Sequence, residues 1–204
     1  MQMNYARYPN REHDRARQVA GLLARLRLDW LLSHLPPRVV WAAYVFINGF
    51  VTIALLSVLA FVTRTPFVFP SLGPTAFLFF FAPLSDAASP RHAILGHAVG
   101  LICGYGAYIL MGSHGFAGAA LQGASWPAVT AAALSLAATG GGMALFRISH
   151  PPAGATTMIV SLGILANVEY LFVIEAAVVL LTAQAWIINR LAGLDYPVWE
   201  KRNG

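Results

Sequence analysis

The stretch HPPAGATTM, residues 150–158, decides the fold of this chain. It lies between two long apolar segments, and no charged residue occurs from Ile148 to Val168. Proline lacks the backbone N–H that a helix interior needs, and Pro152 also biases Pro151 away from helical geometry. In the first turn of a helix, however, proline is tolerated. The stretch therefore predicts a chain break and then a short helix, Pro152–Ile164, that begins inside a membrane protein, where protein satisfies the irregular backbone.

The composition places the chain among integral membrane proteins. Of its 204 residues, 58% are hydrophobic and 10% are charged, whereas soluble domains carry about 25% charged residues. The net charge of +5 is concentrated in residues 1–38, which hold seven arginines against three acidic residues. In a membrane protein such an arm is a topology signal rather than a nucleic-acid footprint, so we expect no nucleic-acid partner. Cys103 is the lone cysteine, which excludes an intramolecular disulfide.

Four apolar segments are long enough to cross a bilayer. A hydrocarbon core of about 30 Å needs about 20 helical residues. The predicted spans are Val39–Thr63, about Ala93–Met111, about Trp126–Phe146 and about Glu169–Arg190. The segment Thr65–Ser85 is also uncharged, but its four prolines predict a broken helix. We therefore predict an all-α polytopic fold with four long transmembrane helices and two short half-helices.

The chain repeats itself across the two broken segments. Residues 70–78, PSLGPTAFL, align with residues 151–159, PPAGATTMI, and each matched residue lies 81 positions from its partner. The flanking spans fall in the same register, so each half reads as long span, broken segment, long span. If the broken segments cross the membrane, the halves are inverted; if they are re-entrant, the halves are parallel. We favour inversion, which is a common plan of transporters, and both schemes place the two termini on one side.

The chain divides into a basic arm (1–38), a transmembrane domain (39–192) and a tail (193–204). The arm predicts an amphipathic helix from about Glu12 to His34, either in the plane of an anionic leaflet or packed on loops or another subunit. We expect a multi-pass protein of a bacterial plasma membrane, with both termini in the cytoplasm.

Small residues recur at a spacing of four in the second long span, at Gly96, Gly100 and Gly104. This spacing lets helix backbones approach closely. Close packing is therefore the predicted role of these glycines, rather than ligand contact. Because four spans and two short helices offer little surface to enclose a pathway, we predict a homo-oligomer, most simply a dimer.

The sequence resembles the HPP family of integral membrane proteins. The family signature is similar to HPPAGAT at 150–156, and PSLGPTA at 70–76 resembles another of its stretches, as do Ser89-Pro90-Arg91 and the pair Gly96-His97. The likeness covers roughly Val39 to Arg190. It implies four transmembrane helices and, as for some members including plastid ones, transport of nitrite.

The two half-helix N-termini predict a binding site for a small anion. Such termini leave backbone N–H groups unpaired and carry about half a positive charge each, so an anion is attracted without a lysine or a metal. Hydroxyls and a histidine would add further donors, and Ser71 would also cap the first short helix. The predicted ligand-binding residues are Ser71, Gly73, Thr75, His150, Pro151, Pro152, Gly154, Thr156 and Thr157. The alternative is that proline and glycine shape turns while the threonines bond their own backbone.

Two ionisable residues, His97 and Glu175, lie within the predicted spans. Such residues are functional candidates by default, and they could pair or relay a proton coupled to anion uptake. Alternatively, Glu175 lies in a wet crevice or at the interface, and His97 bonds a neighbouring turn. No metal-ligand spacing occurs in the sequence, so we expect no metal, no cofactor and no enzymatic activity.

The function predicted from these observations is a channel or secondary transporter for a small monovalent anion, with nitrite first by resemblance. The alternative is a non-transporting membrane scaffold or regulatory module. Paired broken segments favour transport, because a scaffold does not need them.

Overall fold

The computed structural model describes residues 27–65, 67–112 and 125–200. All regular secondary structure in these residues is helical. The predicted all-α polytopic fold is confirmed. Most of the predicted arm helix, most of the loop after the second span and the last four residues lie outside the described residues. The helices are α1 (Leu28–His34), α2 (Pro37–Thr63), α3 (Leu72–Phe81), α4 (Pro90–Leu110), α5 (Trp126–Leu145), α6 (Ala153–Ser161) and α7 (Val168–Leu191).

Four of these helices, α2, α4, α5 and α7, are long and apolar enough to cross a membrane. Their bounds agree with the predicted spans to within three residues, and the predicted integral membrane protein is therefore supported. On α2 the large side chains of Phe46, Phe50 and Phe61 are exposed. Exposed aromatic side chains along a helix of 27 residues are expected where lipid, rather than water, surrounds the protein.

Several helix ends meet at one end of the bundle, which we call the terminal face. The N–H of Leu28 donates to the carbonyl of Ala192 at 2.9 Å, so α1 begins beside the end of α7. The guanidinium of Arg91 donates to the carbonyl of Arg147 at 3.4 Å, so α4 begins beside the end of α5. Both ends of the described chain, residues 27 and 200, therefore lie on one side, and we call the opposite end the far face.

These contacts give the direction of each long helix. Tyr44, the eighth of the 27 residues of α2, bonds Asn189 near the end of α7, so α2 starts at the terminal face and runs away from it, as α4 does. Helices α5 and α7 run towards the terminal face. The segment between α2 and α4 must therefore cross the membrane, and so must the segment between α5 and α7. The re-entrant alternative is excluded for both broken segments.

The half-helices α3 and α6 begin at mid-depth and point in opposite directions. With 10 and 9 residues they are about 15 and 14 Å long, half of what a bilayer core requires. Helix α6 runs parallel to α4, because Gly96 faces His150 and Gly104 faces Thr157. In α3, Thr75 lies beside His97 while the carbonyl of Phe79 is nearer the terminal face. The opposite directions of α3 and α6 are those expected if the two halves of the protein are inverted relative to each other. The internal sequence repeat itself stays a prediction.

The glycines of α4 allow α6 to approach it backbone to backbone. A Cβ atom at Gly96 would lie 2.7 Å from the Cβ of His150, one at Gly100 2.9 Å from the carbonyl oxygen of Ala153, and one at Gly104 2.7 Å from that of Thr157. The predicted packing role of these glycines is confirmed. Their partner is α6 of the same chain, so this face is not available to a second copy, and the predicted dimer gains no support from it.

The start of the tail belongs to the packed structure. Tyr196 is fully buried and its hydroxyl donates to the carbonyl of Ala88. Burial raises the pKa of this hydroxyl above its ordinary value. Arg91 forms an ion pair with Glu200 at 3.1 Å. The predicted boundary between the transmembrane domain and the tail, after residue 192, therefore divides residues that pack together.

Candidate functional site

The N-terminus of α3 is not capped in the way that the sequence predicted. Ser71 occupies the N-cap position, but its side chain makes no capping hydrogen bond. An N-cap side chain reaches the amides of the first turn from an extended backbone, whereas Ser71 has helical φ and ψ of −70° and −21°. Its hydroxyl is buried and has no hydrogen-bond partner within the described part of the chain. The predicted cap is wrong.

Thr75 and Thr156 meet at one imidazole between the two half-helices. Each is the fourth residue of its half-helix, and the two were matched in the sequence alignment. The hydroxyl of Thr75 lies 2.9 Å from Nε2 of His97. The hydroxyl of Thr156 lies 2.7 Å from Nδ1 of the same ring. The N-terminal turns of α3 and α6 therefore converge on His97, which stands between them, and the predicted contacts with an anion stay a prediction.

His150 extends this contact towards the terminal face. Its Nδ1 lies 2.7 Å from the carbonyl oxygen of Ala87, in the turn after α3. Its Nε2 lies 3.3 Å from the hydroxyl of Thr75. The centroids of the His150 and His97 rings are 5.0 Å apart. Thr156, His97, Thr75, His150 and the carbonyl of Ala87 thus form one series, which we call the threonine–histidine chain.

The direction of the hydrogen bonds in this chain follows from its terminal acceptor. A carbonyl only accepts, so Nδ1–H of His150 donates to Ala87, and Nε2 of a neutral ring accepts from Thr75. Thr75 then accepts from Nε2–H of His97, whose Nδ1 accepts from Thr156. The single proton of Thr75 is shared with the carbonyl of Ser71, 3.1 Å away. With both rings neutral, every donor in this series is used. Moving the His150 proton to Nε2 would leave Nδ1 facing the carbonyl of Ala87 without a hydrogen bond.

The threonine–histidine chain is closed off from its surroundings. Thr75, His97, His150 and Thr156 are all at most 1% exposed. Two grooves on the described residues, of about 800 and 580 Å³, lie elsewhere, the first between α1, α2 and α7 and the second between α4 and α5. The hydroxyls that were predicted to bind an anion are thus bonded to protein in this arrangement.

The remaining predicted residues are less directly involved. Thr157 is buried against α5, where its hydroxyl donates to the carbonyl of Ser135 at 3.4 Å. Gly154 packs near Leu136, and a Cβ there would lie 3.3 Å from its Cδ1. Gly73 has open space around it, and the structure does not bring it to the threonine–histidine chain. Pro151 is exposed and Pro152 half-buried, at the break that turns the chain into α6.

Glu175 is the eighth residue of α7. Both of its carboxylate oxygens are buried without a hydrogen-bond partner among the described residues. His97 has both ring nitrogens bonded to threonines. The predicted Glu175–His97 pair is therefore absent, and a proton-relay role for Glu175 stays a prediction. No group of three His, Cys, Asp or Glu side chains that could hold a metal occurs in the described ranges.

One tether of α3 was not recognised from the sequence. Asn189 accepts a hydrogen bond of 2.5 Å from the hydroxyl of Tyr44 and donates to the carbonyl of Phe79 at 3.2 Å. It therefore ties the end of α3 to α2 and α7. An asparagine inside a predicted span was the available signal, since polar groups within a membrane need partners.

Comparison with known proteins agrees with this architecture. No curated protein and no solved structure matches the chain. A family model described as "HPP, transmembrane region" matches residues 34–197, which include all four long helices, both half-helices and the buried Tyr196. This chain therefore belongs to the HPP family of integral membrane proteins.

Proposed function

We propose that this protein is a channel or secondary transporter for a small monovalent anion, with nitrite as the first candidate because of the family resemblance. One observation carries the proposal: the N-termini of two oppositely directed half-helices meet around Thr75, His97 and Thr156. His97 is the eighth residue of the 21 in α4, so this meeting point lies well inside the membrane.

The charge at the meeting point suits a monovalent anion. Each helix N-terminus carries roughly half a positive charge, so two of them together offset about one negative charge. The threonine hydroxyls are neutral donors, and no carboxylate among the described residues is hydrogen-bonded to the threonine–histidine chain. Broken helices in transporters present their N-termini to anionic groups in the same way.

Transport requires that the closed arrangement opens. The hydroxyl of Thr156 can donate to an anion only when it releases Nδ1 of His97. The hydroxyl of Thr75 can do so only when it releases Nε2 of His150 and the carbonyl of Ser71. We propose that the half-helices or the imidazole of His97 move apart during transport, and that these hydrogen bonds form again once the anion has left. The threonine–histidine chain thus satisfies the buried polar groups between transport events.

Basic residues in the described ranges support the proposed orientation. The arginines near the terminal face are Arg27, Arg38, Arg91, Arg147 and Arg190, whereas Arg64 lies at the far face. By the positive-inside rule, the terminal face is cytoplasmic. We therefore place both termini in the cytoplasm, in the plasma membrane of a bacterium.

The alternative function is a non-transporting membrane scaffold or regulatory module. A scaffold does not need polar side chains at mid-membrane, and burying such groups is costly unless all are paired. Ser71 and Glu175 retain buried polar atoms without partners within the described residues. Unpaired polar atoms inside a membrane favour a site that changes its partners, which supports transport.

Anion flux into liposomes that contain the purified protein tests the proposal. Thr75→Val and Thr156→Val keep the side-chain shape and remove a hydroxyl. Losing a hydrogen bond to a charged partner costs about 1.5–3 kcal/mol, so each should weaken apparent nitrite affinity roughly ten- to 150-fold. Thr130→Val is the matched control, because Thr130 is exposed and bonds carbonyls of its own helix.

Two outcomes would contradict the proposal. If both valine variants transport nitrite with wild-type affinity, the two-helix anion site is wrong. If the wild-type protein in liposomes conducts neither nitrite nor a similar monovalent anion, the scaffold alternative is favoured.

Coupling to protons is tested through Glu175. We propose that its carboxyl takes up a proton from the far side, since it lies eight residues into α7 from the far face. Lowering the pH on that side should then raise uptake, and Glu175→Gln should flatten the pH profile. Glu169→Gln, at an exposed position in the first turn of α7, should keep it. An unchanged profile in Glu175→Gln would return Glu175 to a structural role.

A further inference from the structure

An apolar groove of about 800 Å³ opens beside the terminal face, between α1, α2 and α7. Its volume is within the range of about 300–1,000 Å³ that is typical of binding sites for small molecules. Its walls are mainly apolar. Among the residues that form them are Leu31, Val40, Ala43, Tyr44, Ile188 and Leu191.

The depth of the groove matches one leaflet of a bilayer. Along α2 its lining runs from Val39 to Asn48, which corresponds to about 14 Å at 1.5 Å per residue. Half of a hydrocarbon core is about 15 Å. A groove that follows a transmembrane helix over this length, and opens at one end of the bundle, has a length that suits a single acyl chain.

A positive charge lies at the mouth of the groove. Arg27 lines this end, and its guanidinium rests on the backbone of Gly193, where a Cβ would lie 2.8 Å from Nε. Its ion-pair partner is Asp29, 3.5 Å away, and both side chains are at least half exposed. Such an exposed pair contributes little stability, so the guanidinium can exchange the carboxylate for a phosphate.

We propose that this groove binds one acyl chain of an anionic phospholipid from the leaflet at the terminal face, with the lipid phosphate on Arg27. The apolar walls hold the acyl chain, and the charge at the mouth selects the headgroup. This site is separate from the proposed anion site and does not depend on transport activity.

The bound lipid would support the half-helix α3. Tyr44 forms part of the groove wall, and its hydroxyl donates to Asn189, which in turn donates to the carbonyl of Phe79. An acyl chain packed on the Tyr44 ring holds this side chain in the position that tethers α3. The groove is thus connected to the element that carries Thr75.

Photo-crosslinking from Ala43 tests this proposal. In a Cys103→Ala background, Ala43→Cys is labelled with a benzophenone maleimide and reconstituted in vesicles of equal phosphatidylglycerol and phosphatidylcholine. A basic residue near the membrane surface contributes about 1 kcal/mol towards an anionic lipid. Mass spectrometry of the adducts should therefore show phosphatidylglycerol enriched roughly fivefold over phosphatidylcholine.

Two matched variants complete the experiment. Ala42→Cys lies one position away on α2, is exposed and is not part of the groove, so its adducts should follow the bulk lipid ratio. Adding Arg27→Gln to Ala43→Cys should return the ratio at Ala43 to the bulk value. Equal ratios at Ala42 and Ala43, or an enrichment that survives Arg27→Gln, would overturn the proposal. Adducts to residues 1–26 or to a second copy would show that protein, not lipid, fills the groove.

Discussion

Half-helix α6 packs backbone against backbone, whereas α3 is held through side chains. Cβ atoms at Gly100 and Gly104 would come within 2.9 and 2.7 Å of carbonyl oxygens of α6. The end of α3 packs through the fully buried rings of Phe79 and Phe80 and through the amide of Asn189. Side chains can change rotamer, but a backbone in direct contact with a neighbouring helix has no such freedom. If one half-helix moves to release His97, we therefore expect it to be α3.

The two halves also differ at the residue that lies three positions before the start of each half-helix. His150 bonds the carbonyl of Ala87, in the turn between α3 and α4. The residue 81 positions earlier is Phe69, which is buried at 3% exposure. Only the second half therefore carries an imidazole at this place. The two aligned segments thus each carry a threonine in the fourth position of a half-helix. At the position three residues before the half-helix, however, only the second half forms a side-chain hydrogen bond to the other half of the protein, through His150.

The largest effect is expected from breaking the backbone contact of α6. Gly104→Val would force a side chain into the carbonyl of Thr157, and overpacking of this kind costs about 1–3 kcal/mol or more. Gly106→Val is the control, because a Cβ at Gly106 meets nothing within 4 Å. Thermal unfolding in detergent should show a lower Tm, or no folded protein, for Gly104→Val alone. Equal unfolding temperatures for the two variants would mean that α6 is not held rigidly.

A smaller effect is expected from loosening the tether of α3. Tyr44→Phe keeps the ring and removes the hydroxyl that bonds Asn189, a loss of about 1 kcal/mol. Amide exchange should accelerate about fivefold in α3 and remain unchanged in α6, since only α3 depends on Asn189. Tyr170→Phe, in the first turn of α7 and exposed, is the control. Equal acceleration in both half-helices would remove the distinction between a mobile α3 and a fixed α6.

The predictions from sequence succeeded where the signal was local. Charge-free lengths located the four spans, and prolines located both breaks, because each feature acts within a few residues of its own position. The alignment at an offset of 81 also matched Thr75 with Thr156. It did not reveal that both bind His97, which is 22 residues from one and 59 from the other. The alignment also could not show that Ser71 fails to cap α3, because capping depends on the backbone conformation of Ser71, which is imposed by packing.

The sequence by itself determined that this is a four-span helical membrane protein with two interrupted segments, because hydropathy and proline constrain the backbone wherever the chain lies in a bilayer. Only the tertiary structure decided that the interrupted segments cross the membrane. It also decided that their N-termini enclose His97, and that the glycines of α4 contact α6 rather than a second subunit. The physical reason is that these features depend on which helix lies beside which. Helix directions and close approaches are set by packing between residues far apart in the chain, and no local pattern encodes such neighbours.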